Sequence, residues 1–367
     1  MENYNARYAR HYSLKDFGMQ GQRKLLEAKV LVIGAGGLGC PVLQYLTACG
    51  IGTIGIADHD IIALDNLQRQ ILFHTEDIGQ SKAAVARQKL SMLNPEIKII
   101  SYEFEITTSN ALELIAAYDI IVDCTDNFTS RYLINDACVL SGKPMVSGSI
   151  FQYEGQVAVF NVQVDGRSVN YRDLFPNPPA HDQVSDCNGN GVLGVLPGIV
   201  GMMQASEVIK SVAGIGGLLA GKLLTFDLIS YETIVMEITA EISTPALIPA
   251  DKEAFKNTDY PRLCGASDAR IEELDAQDFL NKAHNGQSLV IDVRERCEVP
   301  KAHFPNLNIP LSELDENLSK FEDADILLFC QSGRRSLRAG EILLERFGNT
   351  KKISHLRGGI IALKEEQ

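Results

Sequence analysis

Apolar residues run unbroken through "VLVI" (30–33), give way to a glycine-rich loop, and resume with helical spacing in "CPVLQYLTACG" (40–50), which stops at Gly50. That order predicts strand, loop and helix. "TIGIAD" (53–58) reads as a second strand, and "YDIIVDCTDN" (118–127) as a buried strand whose far end carries Asp126. "VSDCNGNGVLGVLPGIVGMMQASEVIK" (184–210) reads as a loop followed by a helix. Periodicity then fades over 240–270, where proline, alanine and charge take over, and a linker is predicted there. A flexible tether of roughly 30 residues spans about 30 Å by chain statistics. Alternation returns after Ile271: "DAQDFLNKAHN" helical, "SLVIDV" a strand, "LSELDENLSKF" helical, "DILLFC" a strand, "SLRAGEILLERFG" helical and "KKISHLRGG" a final strand. The predicted fold class is α/β throughout. A Rossmann-like domain with a mostly parallel sheet occupies 1–239, and a small α/β domain occupies 271–367.

Composition narrows the partners more than the fold. At 367 residues the chain exceeds what one hydrophobic core usually supports, and its 45% apolar and 22% charged residues are those of an ordinary globular protein. The 47 acidic against 34 basic side chains, net −13, oppose a nonspecific hold on nucleic acid or an anionic membrane. The opening "MENYNARYARHYSL" lacks the apolar core of a signal peptide, and no run is long enough for a membrane span, so a cytoplasmic location is expected. The eight cysteines show no C-x-x-C spacing, which suggests neither a disulfide framework nor a zinc site.

The loop Gly34-x-Gly36-x-x-Gly39 lets the backbone turn tightly and approach phosphate closely before a helix N-terminus. With Asp58 about 20 residues on, placed to accept bonds from a ribose, it indicates a dinucleotide fold, and NAD-dependent oxidoreduction is the default reading. "DNLQRQILF" and "DIGQSKA" shift that reading, since Asn66, Arg69 and Lys82 suit a triphosphate and hydride transfer has no need of them. Asp126, beyond a strand end, could hold magnesium.

Arg7-Tyr-x-Arg10, Gly34-x-Gly-Gly-x-Gly39, Asn66-Leu-Gln-Arg69, Lys82 and Asp126-Asn127 together resemble the MoeB/ThiF family, relatives of ubiquitin-activating enzymes, from about Arg7 to Ile238. The resemblance implies ATP-dependent adenylation of the C-terminal glycine of a ubiquitin-like sulfur carrier ending in Gly-Gly. It places ATP at Gly37, Asp58, Asn66, Arg69, Lys82 and Asp126, with Mg2+ at Asp126, and brings Arg10 from the partner subunit of a homodimer. Cys187 falls where many members have a cysteine facing the adenylate. Many members also carry two C-x-x-C pairs that bind structural zinc. Here Asn170 and Asp173 stand at the first pair and no second pair follows, so no zinc is expected and something else must hold that lobe together.

"IDVRE" (291–295), "NIPLSEL" (308–314), "FCQSGRRS" (329–336) and "LRGGI" (356–360) resemble a rhodanese domain. By that resemblance Cys330 carries sulfane sulfur as a persulfide. Chemically, consecutive N–H groups entering a helix stabilise the anion, Gly333 permits the turn, and Arg334 or Arg335 lowers the cost of the charge. Asp292 and Arg294 are expected to brace the loop. His303 is expected to be structural, because Ala302 stands where a glycine is usual, and Cys297 to be incidental. Adenylation followed by sulfur transfer gives a thiocarboxylate, with a sulfur donor such as a cysteine desulfurase. The alternatives are a noncatalytic carrier-binding scaffold with an independent rhodanese module, and the oxidoreductase. Pathways ending in molybdopterin, thiamine or cysteine are all compatible with the sequence.

Overall fold

Strand β1 (Lys29–Ile33) is buried at every position but its first. Its continuous apolar run is what a parallel strand covered on both faces requires. It pairs in parallel with β2 (Thr53–Ala57) and β4 (Ile120–Asp123). The sheet order is β3-β2-β1-β4-β5-β6-β7-β8, with β3 Lys98–Tyr102, β5 Met145–Phe151, β6 Glu154–Phe160, β7 Lys222–Asp227 and β8 Thr233–Glu237. The five strands from β3 to β5 run parallel, and β6 to β8 extend the sheet antiparallel. Strand order reverses between β1 and β4, where their carboxyl ends open a crevice of the kind that holds ligands in open α/β sheets.

The computed structural model describes residues 6–164, 166, 168–178, 191–240, 244–264, 270–321 and 325–363. Two units are distinguished, the first closing at Tyr260 and the second opening at Pro261. In the first, helices α1 (Gly18–Glu27), α2 (Gly39–Cys49), α3 (Lys82–Leu93), α4 (Phe128–Ser141) and α5 (Val195–Ala213) accompany the sheet. Helix α2 ends as predicted, because Gly50 takes a left-handed conformation (φ 85°) that costs glycine little. Among the described residues, no helix is long and apolar enough to cross a membrane.

The stretch expected to be a tether departs from that expectation. Thr244–Leu247 is a short 3-10 turn, Lys252–Asn257 forms helix α6 capped by Asp251, and Tyr260–Leu263 is helical. Phe255 and Tyr260 are fully buried and their rings lie 5.7 Å apart. The composition of the stretch is that of a linker, but two aromatics five positions apart are enough to pin it. The Tyr260 hydroxyl donates to Asp136 Oδ2 (2.8 Å), and Asp136, on α4, is held bidentately by Arg172 (Nε–Oδ1 2.8 Å, Nη2–Oδ2 2.7 Å). Arg172 belongs to the short helix Tyr171–Leu174, whose start is a capping box. Asn170 Oδ1 accepts from the Arg172 N–H (2.9 Å), and Asp173 Oδ2 accepts from the Asn170 N–H (2.8 Å). So the two residues at the expected cysteine positions close a helix turn, and the lobe is held by a buried ionic cluster. Among the described residues, no group of three or more His, Cys, Asp or Glu is arranged to hold a metal ion.

The second unit is a five-stranded parallel sheet ordered β11-β10-β12-β13-β9, from β9 (Ile271–Leu274), β10 (Ser288–Asp292), β11 (Leu307–Asn308), β12 (Asp325–Phe329) and β13 (Ile353–Leu356). Helices α7 (Ala276–His284) and α8 (Arg334–Phe347) match the predicted segments. Residues 311–321, expected as an ordinary helix, are two 3-10 pieces, Leu311–Glu313 and Asp315–Phe321. Pro310 starts the first, and Asp315 and Asn317 favour tight turns over regular helix.

Candidate active site

Gly34 has φ 95°, and a Cβ there would lie 2.8 Å from the carbonyl oxygen of Cys124, just beyond β4. A Cβ on Gly39, the first residue of α2, would come within 1.9 Å of the Gly34 carbonyl oxygen. Only glycine at both positions lets the loop fold back on itself against the end of β4. Asp58 clamps the loop from β2: Oδ2 accepts from the Ala35 N–H (2.6 Å) and Oδ1 from the Asp60 N–H (2.8 Å). Burial pushes the Asp58 carboxyl above its usual range, and the two N–H bonds work against that rise.

This loop forms one wall of a cleft of about 1090 Å³. Gly34, Gly36, Gly37, Asp58, Asn66, Arg69, Lys82, Asp126 and Asn127 all line it, so residues from five separate motifs converge. Lys82 is buried at the start of α3, with Nζ 2.8 Å from Asp60 Oδ2. Arg69 donates to the Asp65 carbonyl (2.9 Å), and Asn66 Oδ1 accepts from the Ala63 N–H (3.2 Å). Strand β4 ends at Asp123, so Asp126 stands further out, exposed, in the loop that follows. Asn127 caps α4 by accepting from the Ser130 N–H (2.8 Å). Gly39 works behind the wall, and Arg10 is exposed on the helix Ala9–Tyr12 and is not part of the lining. Cys187 lies outside the described residues.

Three lining residues were not singled out from the sequence. Asp60 partners Lys82. Arg131 donates from Nη2 to the Thr125 carbonyl (2.6 Å), which fixes the loop that carries Asp126. Gln70 is buried against the glycine loop with its Oε1 unpartnered. A buried polar atom left unpaired at the wall of a polar cleft fits a site completed by a ligand. The donor set suits ATP, with the cations Arg69, Lys82 and Arg131 for phosphate, glycine backbone for close approach, and the exposed Asp126 carboxylate as a candidate for the metal that phosphates bring.

In the second unit, Cys330 follows β12 and is fully buried. The loop turns at Gly333 (φ 90°), whose N–H points at Cys330 Sγ (3.2 Å), and α8 starts at Arg334. Arg334 is exposed, whereas Arg335 is held by Glu298 through paired bonds of 2.5 and 2.7 Å. Those bonds hold the Glu298 carboxyl at about 2. Arg294 is buried, braced by Asp292 (Nη2–Oδ2 2.7 Å), and reaches Gln331 in the loop (3.2 Å). His303 and Cys297 are both exposed.

The ThiF family model matches residues 8–245, and the rhodanese-like domain model matches residues 275–366. The chain is 41% identical over 374 residues to the probable adenylyltransferase/sulfurtransferase MoeZ of Mycobacterium tuberculosis, covering 97% of this chain and 92% of the relative. It is 36% identical to adenylyltransferase and sulfurtransferase MOCS3 of Xenopus laevis over 98% of this chain and 86% of the relative. Among solved structures, E. coli MccB with ATP has a TM-score of 0.55 at 23% identity, over 64% of this chain and 72% of that chain, a likeness of fold. The chain belongs to the ThiF family and carries a rhodanese-like domain after its ThiF region.

Proposed function

We propose that the chain activates the C-terminal glycine of a ubiquitin-like sulfur carrier with ATP and then delivers sulfur to it from Cys330. The chain is an enzyme, an adenylyltransferase and sulfurtransferase, as its near full-length relatives are named. The observation that carries the residue assignment is that Asn66, Arg69, Lys82 and Asp126 line one cleft with the glycine loop, in a chain that also sets the Gly333 N–H against Cys330 Sγ. The carrier carboxylate attacks the α-phosphorus and pyrophosphate departs. Charge developing on the phosphoryl oxygens is met by Arg69 and Lys82, and by Arg10 of a second copy in a homodimer, which the exposure of Arg10 permits. Asp126 would hold the Mg2+ that accompanies ATP, and the metal supplies further charge neutralisation there. A persulfide of Cys330, charged by a donor such as a cysteine desulfurase, then attacks the acyl-adenylate. AMP leaves, and a second thiol cleaves the resulting acyl disulfide to give the thiocarboxylate.

The test is exchange of labelled pyrophosphate into ATP with the cognate carrier. Asp126→Ala and Lys82→Ala are each expected to slow it by about a hundredfold or more, the scale of removing one electrostatic partner of the transition state. Wild-type exchange in both variants would remove the assigned site. Elemental analysis of the purified chain is expected to find far less than one zinc per chain, since Asn170 and Asp173 spend their side chains on a helix cap; stoichiometric zinc overturns this.

A further inference from the structure

His355 is a buried titratable side chain that no step above uses. It lies in β13, between Leu328 of β12 and Glu273 of β9. Its Nδ1 is 3.5 Å from Ser336 Oγ, and Ser336 Oγ is 3.6 Å from Cys330 Sγ. Ser336 is fully buried in the first turn of α8, and its hydroxyl also lies 2.9 Å from the Gly333 carbonyl. A nucleophilic sulfur, a hydroxyl and an imidazole therefore follow one another at contact distance, all three buried. The charged groups facing His355 are Glu273, with Oε1 3.9 Å from Nε2, and Arg357, whose Nε is 3.3 Å from the other Glu273 oxygen. Around the sulfur loop stand Arg335 and Arg294, each engaged by a carboxylate, and Arg334 at the exposed start of α8. Burial holds His355 below its usual range, Glu273 opposing and Arg357 adding to the effect. The imidazole is neutral at neutral pH and offers one ring nitrogen as an acceptor.

We propose that Ser336 and His355 form a buried proton path that ionises Cys330. The Sγ–H proton passes to Ser336 Oγ as the Ser336 hydroxyl proton passes to His355 Nδ1. One S–H and one O–H bond break, one O–H and one N–H bond form, and the electron pair stays on sulfur. The products are a thiolate, held by the Gly333 N–H, and an imidazolium, which Glu273 faces across the strand pair. The Ser336 hydroxyl needs only to rotate from the Gly333 carbonyl toward Nδ1. The thiolate can then take sulfur from a donor persulfide, whose own thiolate is the leaving group. His355 and Ser336 thus act through Cys330 as positioning residues, and the idea rests on Cys330 being the sulfur carrier.

The experiment measures the rate at which iodoacetamide alkylates Cys330 in the full chain from pH 5 to 9, read by mass on the Cys330 peptide. His355→Phe and Ser336→Ala are each expected to move the inflection up by about one pH unit, roughly a tenfold slower reaction at neutral pH, while Ser336→Thr keeps the wild-type profile. Glu273→Gln, a change at a half-exposed carboxylate that leaves the buried groups in place, is expected to move it the same way by a smaller step. Wild-type profiles in Ser336→Ala and Glu273→Gln overturn the proton path, even if His355→Phe fails to fold. The carrier role of Cys330 is read separately, as a gain of about 32 Da after incubation with a sulfur donor. Absence of that gain with an altered profile would sink the persulfide and leave the proton path standing.

Discussion

A Cys330→Ala chain is expected to exchange pyrophosphate into ATP at the wild-type rate and to form no thiocarboxylate from a protein-bound sulfur donor. The residues proposed for adenylation, Arg69, Lys82 and Asp126, are all in the first unit, whereas Cys330 sits in the second at the end of β12. Removing one thiol therefore deletes one half of the chemistry. The thiol cannot be replaced by water, because hydrolysis of the acyl-adenylate returns the carboxylate. Carrier adenylate should accumulate in the variant and be trapped by added hydroxylamine. Free sulfide must be kept out, since it would attack the adenylate directly. Cys187→Ala serves as the comparison: slowed transfer with accumulating adenylate assigns it a covalent step, and an unchanged rate makes it a loop residue. A Cys330→Ala chain that makes thiocarboxylate as fast as wild type would end the tandem mechanism.

What could be read from the sequence was whatever is local. The glycine loop announces itself because Gly34 and Gly39 meet steric demands set within a few residues of each other, and Gly50 ends α2 by its own backbone. The polar and cationic candidates followed from motif order, since Asn66, Arg69 and Lys82 lie on a 3-10 turn, a turn and a helix start in the chain that follows β2. Long-range partners were not legible. Asp136 looks like a mid-helix polar residue, and nothing near it in sequence shows that Arg172 and Tyr260 will close on it from 36 and 124 residues away. The same holds for His355, which reads as one polar position in "KKISHLRGG" until β13 packs it behind Ser336. Residues 252–257 were hidden differently, because their tertiary anchor is a single Phe255 in a stretch whose composition suggests a tether. Sequence pattern thus marked the residues proposed for the chemistry and missed the partners that hold them in place.

Arg172→Ala is expected to lower the stability of the first unit by about 3–5 kcal/mol, the usual cost of leaving a buried charge without its partner. Asp136 is fully buried, and its two oxygens take both prongs of the Arg172 guanidinium, with Asn135 Nδ2 (3.0 Å) and the Tyr260 hydroxyl (2.8 Å) as further donors. Without arginine the carboxylate keeps only neutral donors. The guanidinium also stacks 4.8 Å above the Tyr132 ring, and alanine removes that attraction as well. For a unit of this size the change amounts to roughly a 10 °C drop in melting temperature by calorimetry. Arg172→Lys should recover only part of it, because an ammonium cannot bridge both oxygens. Tyr260→Phe, removing one bond to a charged acceptor, should cost about 1.5–3 kcal/mol. The exposed pair Arg23–Glu27 supplies the contrast, and Arg23→Ala should change stability by less than about 0.5 kcal/mol. The loss should also reach the cleft, because Tyr171 and Phe175, which flank this cluster, line it. Pyrophosphate exchange in Arg172→Ala should therefore weaken below the melting transition, through a raised KM for the carrier. An Arg172→Ala chain that melts with the wild type would show that Asp136 finds other partners and that the cluster is not what holds this lobe together.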